Sequence, residues 1–491
     1  MGREAKMRRI QNILLVVVLA MSIALAGVAI IRGIGPTQVA KEPIKVRDAD
    51  KARQNFERAS YLKQSIYDNY HNDEIKMLSR IPFPFNATVR SSYGMLFPNI
   101  QASVWEYGSF LSMLYKFVVY ESVTGEDVGA IAEYDSALDG LMYYRKDTSD
   151  GKFDGYRHYR DLDKGGQNIN GISYDDDMWL ARDIVYMYEL TGDQKYLDYA
   201  IEIADYLIKY AYVDLDPQIF IDFGIEGVNP EKEMGGFYWD SYLDMLHTCS
   251  NGPAIIFYSD LYKYTNNELY LNTAKKAYEF VLTLRGDTGV FYDCTAFNKN
   301  ENNEILSVKS IDKRTYTYNT GTPISGAVSL YKNTGDEKYL NDAISIATAA
   351  GTALGKEFEE QGIVWYLNAG ATGGGASTWF NGVLFNGFMD LLEYSEVPRE
   401  YIEEFDHALN WAYDTYLKEM SAEDKAEIFE QYAFCNPEEN YVDKEYGKLI
   451  PAGQYIGGWD KEKYMDIYVL NICGTVDMIV SLAAYYAEPV E

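Results

Sequence analysis

Thr191-Gly192-Asp193-Gln194-Lys195-Tyr196-Leu197 recurs as Thr334-Gly335-Asp336-Glu337-Lys338-Tyr339-Leu340. A looser copy, Thr265-Asn266-Asn267-Glu268-Leu269-Tyr270-Leu271, lies between them, and a weaker one starts at Thr124-Gly125-Glu126. The four starts are 67, 74 and 69 residues apart. Each copy separates two stretches with apolar residues at three- and four-residue intervals, such as Ile184–Leu190 before and Tyr199–Ile208 after, which is the period of a helix with one buried face. Gly or Asn suits the left-handed end of the first helix, and Asp or Glu suits the positive start of the second. The Tyr-Leu pair then begins the buried stripe. A spacing of about 70 exceeds the roughly 33–34 residues of tetratricopeptide or ankyrin repeats and fits a helical hairpin with a long loop at its far end. Residues 60–491 have room for about six such hairpins. Strand alternation is scarce. The expected fold is therefore all-α, an (α/α)6 toroid of six helical hairpins. Its short turns share one face, and its long glycine- and aromatic-rich loops share the other, where function is usually carried.

Ahead of the hairpins, Arg3, Lys6, Arg8 and Arg9 precede an uncharged run from Ile13 to Ile31. As a helix that run spans roughly 28 Å, close to a bilayer core, and its basic flank places the N-terminus in the cytoplasm. The alternative is a signal peptide cleaved after Ala24-Leu25-Ala26, which would release a secreted protein. The apolar run continues beyond that point through Val28-Ala29-Ile30-Ile31, so an uncleaved single-pass anchor in the cell membrane is expected, with the rest of the chain extracellular. The domain reading is residues 1–34 for the cytoplasmic tip and transmembrane helix, 35–58 for a linker containing Pro36 and Pro43, and 59–491 for the toroid.

A net charge of −30 excludes a nucleic-acid partner, because phosphate backbones are bound by the opposite sign. Tyr and Trp number 45 and 7. Most serve packing, but such rings also suit a sugar, whose C–H faces stack on them and whose hydroxyls bond their polar tips. The four cysteines, Cys249, Cys294, Cys435 and Cys473, are widely spaced with no zinc signature, and the four histidines are scattered. No metal and no cofactor are expected, and the protein is expected to be a monomer.

Tyr174-Asp175-Asp176-Asp177-Met178-Trp179 follows the glycine-rich stretch 165–171 and begins a helix. One Asp there would be a cap. Three before an apolar run suggest chemistry, since like charges held close raise one another's proton affinity and divide the roles of acid and base. Arg157, His158 and Arg160 precede this cluster and are read as offsetting its charge.

The stretch Asp175–Asp193, DDDMWLARDIVYMYELTGD, resembles the signature of glycoside hydrolase family 76, the α-1,6-mannanases: an Asp-Asp pair, a Trp, and a helix ending in a Leu-Thr-Gly-Asp turn. Gly235-Gly236-Phe237-Tyr238-Trp239, Ser250-Asn251-Gly252-Pro253, Thr317-Tyr318-Asn319-Thr320-Gly321-Thr322 and Phe380-Asn381-Gly382-Val383 resemble further family segments in the same order. Two positions depart from the family: Leu180 stands for its second Trp and Asn381 for its Lys. The resemblance implies a retaining hydrolase of α-mannosidic bonds, acting within α-1,6-mannan. Asp175 would be the nucleophile and Asp176 the general acid/base, leaving Asp177 as a helix-start residue. Tyr174, Trp179, Trp239, Asn251, Tyr318 and Asn319 are the expected substrate contacts. A transglycosidase, another toroidal sugar hydrolase such as an unsaturated-uronyl hydrolase, or a non-catalytic glycan-binding protein are the alternatives.

Overall fold

The structure is a computed structural model that describes residues 47–73, 76–80, 101–160, 172–368, 377–416 and 469–489. The expected anchor at 13–31, the glycine-rich stretch 165–171 and Cys435 lie outside the described residues. Among the described residues are twelve long helices: α1 Ala49–Tyr70, α2 Val104–Thr124, α3 Ala130–Leu141, α4 Tyr174–Thr191, α5 Gln194–Tyr210, α6 Thr248–Thr265, α7 Glu268–Leu282, α8 Thr317–Thr334, α9 Glu337–Leu354, α10 Thr378–Leu392, α11 Arg399–Tyr416 and α12 Val469–Tyr486.

The even-numbered helices form a closed inner ring. Each packs on the next, from α2 through α4, α6, α8 and α10 to α12, and α12 packs back on α2. Each odd-numbered helix lies outside the inner helix before it, while α1 backs α12. The last pair therefore joins the two ends of the chain. Arg47 Nη1 donates to the carbonyls of Tyr485 and Ala487 at 3.1 and 2.6 Å, and Asp48 N donates to Tyr486 O at 3.0 Å. Helix α1 starts at Ala49, so the C-terminal part of the expected linker 35–58 belongs to the toroid. Its apolar face closes the ring, a role the linker's charged composition hid.

The repeated turns are built alike. Thr191 and Thr334 hydroxyls donate to the carbonyls four residues back, each at 2.6 Å, and each accepts the backbone N–H two residues on at 3.2 Å. Gly192 and Gly335 then take φ +67°, open to glycine without strain. Asp193 and Asp336 cap the following helix through Lys195 N and Lys338 N. Asn266 and Asn267 repeat this in the third copy. Tyr196, Tyr270 and Tyr339 are buried next, as the stripe requires.

The fold is not purely helical. Five small antiparallel sheets decorate the long-loop face among the described residues. The largest has strands β1 Met245–His247, β2 Tyr292–Lys299 and β3 Ile305–Thr315 in that order. They are excursions within loops, too short against the helical period to change the fold class. Helix α12 is the one described helix long and apolar enough to cross a membrane. It is buried as a ring member, which accounts for its apolar sequence on every side.

Candidate active site

The inner helices run parallel, with their starts on the long-loop face. Five of them are capped at Ser103, Ser173, His247, Tyr316 and Ser377. Two residues beyond each cap lie Trp105, Asp175, Cys249, Tyr318 and Trp379. Asp175 thus occupies the helix position that carries aromatic rings on three other inner helices.

The start of α4 is held by the loop after the glycine pair. Asp175 N donates to Trp239 O at 3.2 Å, and Ser241 N donates to Ile172 O at 3.3 Å. The indole Nε1 of Trp239 donates to Asp175 Oδ2 at 3.3 Å. This loop is pinned in turn from α6: Asn251 accepts from Phe237 N at 2.7 Å and donates to Phe237 O and His247 O at 3.0 and 2.8 Å. A Cβ on Gly236 would press on Leu246 and on Asn251 Oδ1, so the Gly-Gly and Ser-Asn motifs are two halves of one brace.

Burial, then the neighbouring Asp176 charge, pushes the Asp175 carboxyl up to about 6, against the opposing pull of His247, Cys249 and Trp239. His247 lies beside the Trp239 ring, tilted against it with the ring centres 5.3 Å apart. Burial alone would lower its imidazole, but Asp293 and Cys294 outweigh that and raise it to about 10. Asp176 is turned about 100° from Asp175 around the helix. It meets other groups: Oδ2 lies 3.9 Å from His158 Nδ1, and its carboxylate lines a recess with Trp105, Trp179 and Trp379. The Trp179 and Trp379 rings lie 5.1 Å apart, Trp105 and Trp379 5.7 Å, and Tyr318 and Phe380 4.2 Å. These rings form an apolar cluster separate from the main core. The two carboxylates thus stand between a polar wall and an aromatic floor.

The structure divides the expected site residues. Asp175, Asp176, Trp179, Trp239 and Tyr318 come together. Tyr174 does not join them: it is buried in the main core against Tyr206, at 6.0 Å. Asn251 is fully buried and engaged with backbone, and Asn319 is fully buried and donates to Asp293 at 3.1 Å. Asn251 and Asn319 are therefore placed as braces of the surrounding loops, and Tyr174 as a packing residue against α5. Asp177 is likewise no exposed cap. It is fully buried and accepts from Tyr156 N of the 145–156 hairpin at 3.0 Å, and burial pushes its carboxyl well above the usual range. Arg160 is buried and donates to Lys76 O at 2.8 Å, and His158 stands beside Asp176. Trp105, Trp379 and His247 were missed as site residues. A Ser two residues before a Trp, as at Ser103 and Ser377, was the available signal for the first two.

Residues 85–389 match the family model described as Glycosyl hydrolase family 76. Over 105 residues the chain is 30% identical to the mannan endo-1,6-alpha-mannosidase DCW1 of Candida glabrata. That segment covers 21% of this chain and 22% of the yeast protein. A family 76 mannosidase from Bacteroides thetaiotaomicron superposes with a TM-score of 0.64 at 22% identity, covering 88% of this chain and 98% of that one. An inactive variant of the α-1,6-mannanase of Salegentibacter sp. HEL1_6, with two consecutive aspartates changed to asparagine and α-1,6-mannotriose bound, superposes with a TM-score of 0.56 at 19% identity, over 88% and 99% of the two chains. The family match spans more than half of the sequence and contains the aspartate pair, the bracing loop and the aromatic helix starts, so the chain belongs to glycosyl hydrolase family 76.

Proposed function

We propose that this protein is a retaining glycoside hydrolase that cleaves α-1,6-mannan within the chain, using Asp175 and Asp176. The observation that carries the reading is the placing of two consecutive carboxylates in contrasting surroundings at the edge of an aromatic floor. The bacterial relative inactivated at two consecutive aspartates and holding α-1,6-mannotriose supports both the pair and the ligand. In this reading the Asp175 carboxylate attacks the anomeric carbon while Asp176 gives its proton to the departing glycosidic oxygen. The carbon–oxygen bond breaks and a mannosyl ester forms on Asp175. Asp176 then takes a proton from water, whose oxygen displaces the ester and restores both groups. Trp239 keeps Asp175 aligned. Trp179, Tyr318, Trp105 and Trp379 supply ring faces for mannose units.

A second assignment, with the roles exchanged, is favoured by one observation: Asp175 holds its proton up to about pH 6, which suits an acid/base. Incubation with linear α-1,6-mannan, followed by sizing of the products and NMR of the first-formed anomer, tests the reaction. Internal cleavage with retained configuration is expected. Transferred chains without new reducing ends would make the protein a transglycosidase, and no change in the mannan would overturn both. The run Ile13–Ile31 is proposed as an uncleaved anchor holding this domain outside the cell. Protease added to intact cells is expected to release the domain, and full protection would overturn the topology.

A further inference from the structure

We propose that His247, Asp293 and Cys294 form a binding site for a borderline divalent cation of the Zn2+ type, in the wall behind Trp239. The donor atoms of these three residues all lie within 4.8 Å of one another. His247 and Cys294 face each other as register partners of β1 and β2. Neighbouring residues of a regular strand point to opposite faces, so Asp293 and Cys294 would ordinarily diverge. The β2–β3 ladder shifts register between Tyr292 and Cys294, and such a bulge re-aims one side chain. Both residues consequently reach the same imidazole.

The His247–Asp293 spacing is that of ligands rather than of hydrogen-bonded partners. His247 Nδ1 and Asp293 Oδ1 are 3.7 Å apart, beyond a hydrogen bond. Bonds of roughly 2.0–2.3 Å to a tetrahedral Zn2+ set its ligands about 3.3–3.7 Å apart. The supporting groups are those a metal ligand needs: Asn319 Nδ2 donates to Asp293 Oδ1 at 3.1 Å, and Arg314 Nη2 stands 3.6 Å from Oδ2. Met245 Sδ lies 3.9 Å from Cys294 Sγ, adding a soft neighbour. One nitrogen, one oxygen and one sulfur select against Ca2+ and Mg2+, which take oxygen ligands. On binding, the zinc–sulfur bond forms as the Cys294 S–H breaks, the zinc–nitrogen bond forms as the His247 imidazolium gives up one N–H proton, and both protons leave to solvent. The ion would clamp the strand leading into α6 onto the long hairpin. The sequence gives no sign of this site, because His247 and Cys294 are 47 residues apart and the bulge is a tertiary feature.

The test is calorimetric titration of the metal-stripped full chain with Zn2+ in the absence of substrate, so that it stands apart from the activity. One ion per chain is expected, with a rise in melting temperature. Cys294→Ser and His247→Gln should each weaken binding at least about tenfold and abolish that rise. Co2+ should give a thiolate-to-cobalt charge-transfer band that is lost in Cys294→Ser and kept in Cys249→Ser. Circular dichroism of each variant reports folding, and the failure of one variant to fold leaves the other decisive. A wild-type chain that takes up no Zn2+, or a band that survives Cys294→Ser or disappears with Cys249→Ser, would overturn the proposal.

Discussion

Trp239 holds Asp175 from two sides: its indole N–H donates to the carboxylate at 3.3 Å, and its carbonyl accepts the Asp175 backbone N–H at 3.2 Å. Residues 64 positions apart are thereby locked together, and the ring that does so remains 38% exposed. Trp239→Phe keeps the ring and the backbone bond but removes the donor. A hydrogen bond to a charged group contributes about 1.5–3 kcal/mol. The variant is expected to remain folded and to lose about 10- to 100-fold in kcat/KM on mannan. A variant with wild-type kinetics would remove Trp239 from the reaction.

The same bond favours the Asp175 anion. If Asp175 attacks as a carboxylate, kcat/KM should fall as pH drops below about 6, where the carboxyl gains its proton. In Trp239→Phe this acidic limb should move to higher pH, because a group favouring the charged form is gone. A pH profile of wild type and variant is the measurement, and a limb that stays in place would deny the coupling.

Asp175→Asn and Asp176→Asn should each abolish most turnover without unfolding the protein. Asp175→Asn should leave no covalent mannosyl-enzyme detectable by mass spectrometry. Asp176→Asn should recover in part on substrates with an activated leaving group, which need little protonation. The reverse pattern would establish the exchanged roles.

The toroid was legible because its turns are local. Thr191, Gly192 and Asp193 bond within a few residues of themselves, so each copy writes its geometry in adjacent letters. The run of three aspartates at the start of α4 was legible for the same reason, being adjacent letters at a helix start. Asn251 and Asn319 sit as buried braces where the motifs suggested contacts, since a motif holds a brace as readily as a contact, and Tyr174 turns to the outer helix α5. Trp105 and Trp379 went unseen because they reach Asp176 across the ring. The closing pair of α1 with α12 joins segments about 400 residues apart, beyond any window of sequence period.

Inside the ring, burial outweighs the Ser329 bond and raises the Asp260 carboxyl to about 7, and burial raises Asp477 to about 6. The folded protein binds these protons more tightly than the unfolded chain. Their contribution to stability is full below the unfolded carboxylate range near 4 and is lost as pH rises through about 6–7. Melting temperature should therefore fall between about pH 4 and pH 7. Asp260→Asn, which cannot ionise, should flatten that slope. An unchanged slope in the variant would show that Asp260 ionises with an ordinary pKa.

Asp177 separates bracing from chemistry within one run of three aspartates. It is fully buried, and its Oδ1 accepts from Tyr156 N at 3.0 Å. Burial pushes its carboxyl well above the usual range, and an uncharged asparagine, whose carbonyl can take the same bond, avoids that burial cost. Asp177→Asn should keep most of the activity and change stability by less than about 1 kcal/mol, while Asp177→Ala leaves the Tyr156 N–H without its acceptor and should cost about 1–3 kcal/mol. Denaturant unfolding of the two variants, with mannan hydrolysis measured on each, checks both halves. If Asp177→Asn abolishes turnover while Asp175→Asn retains it, the reacting carboxylates are not the pair that faces Trp239 and the aromatic floor, and the catalytic assignment moves along the helix.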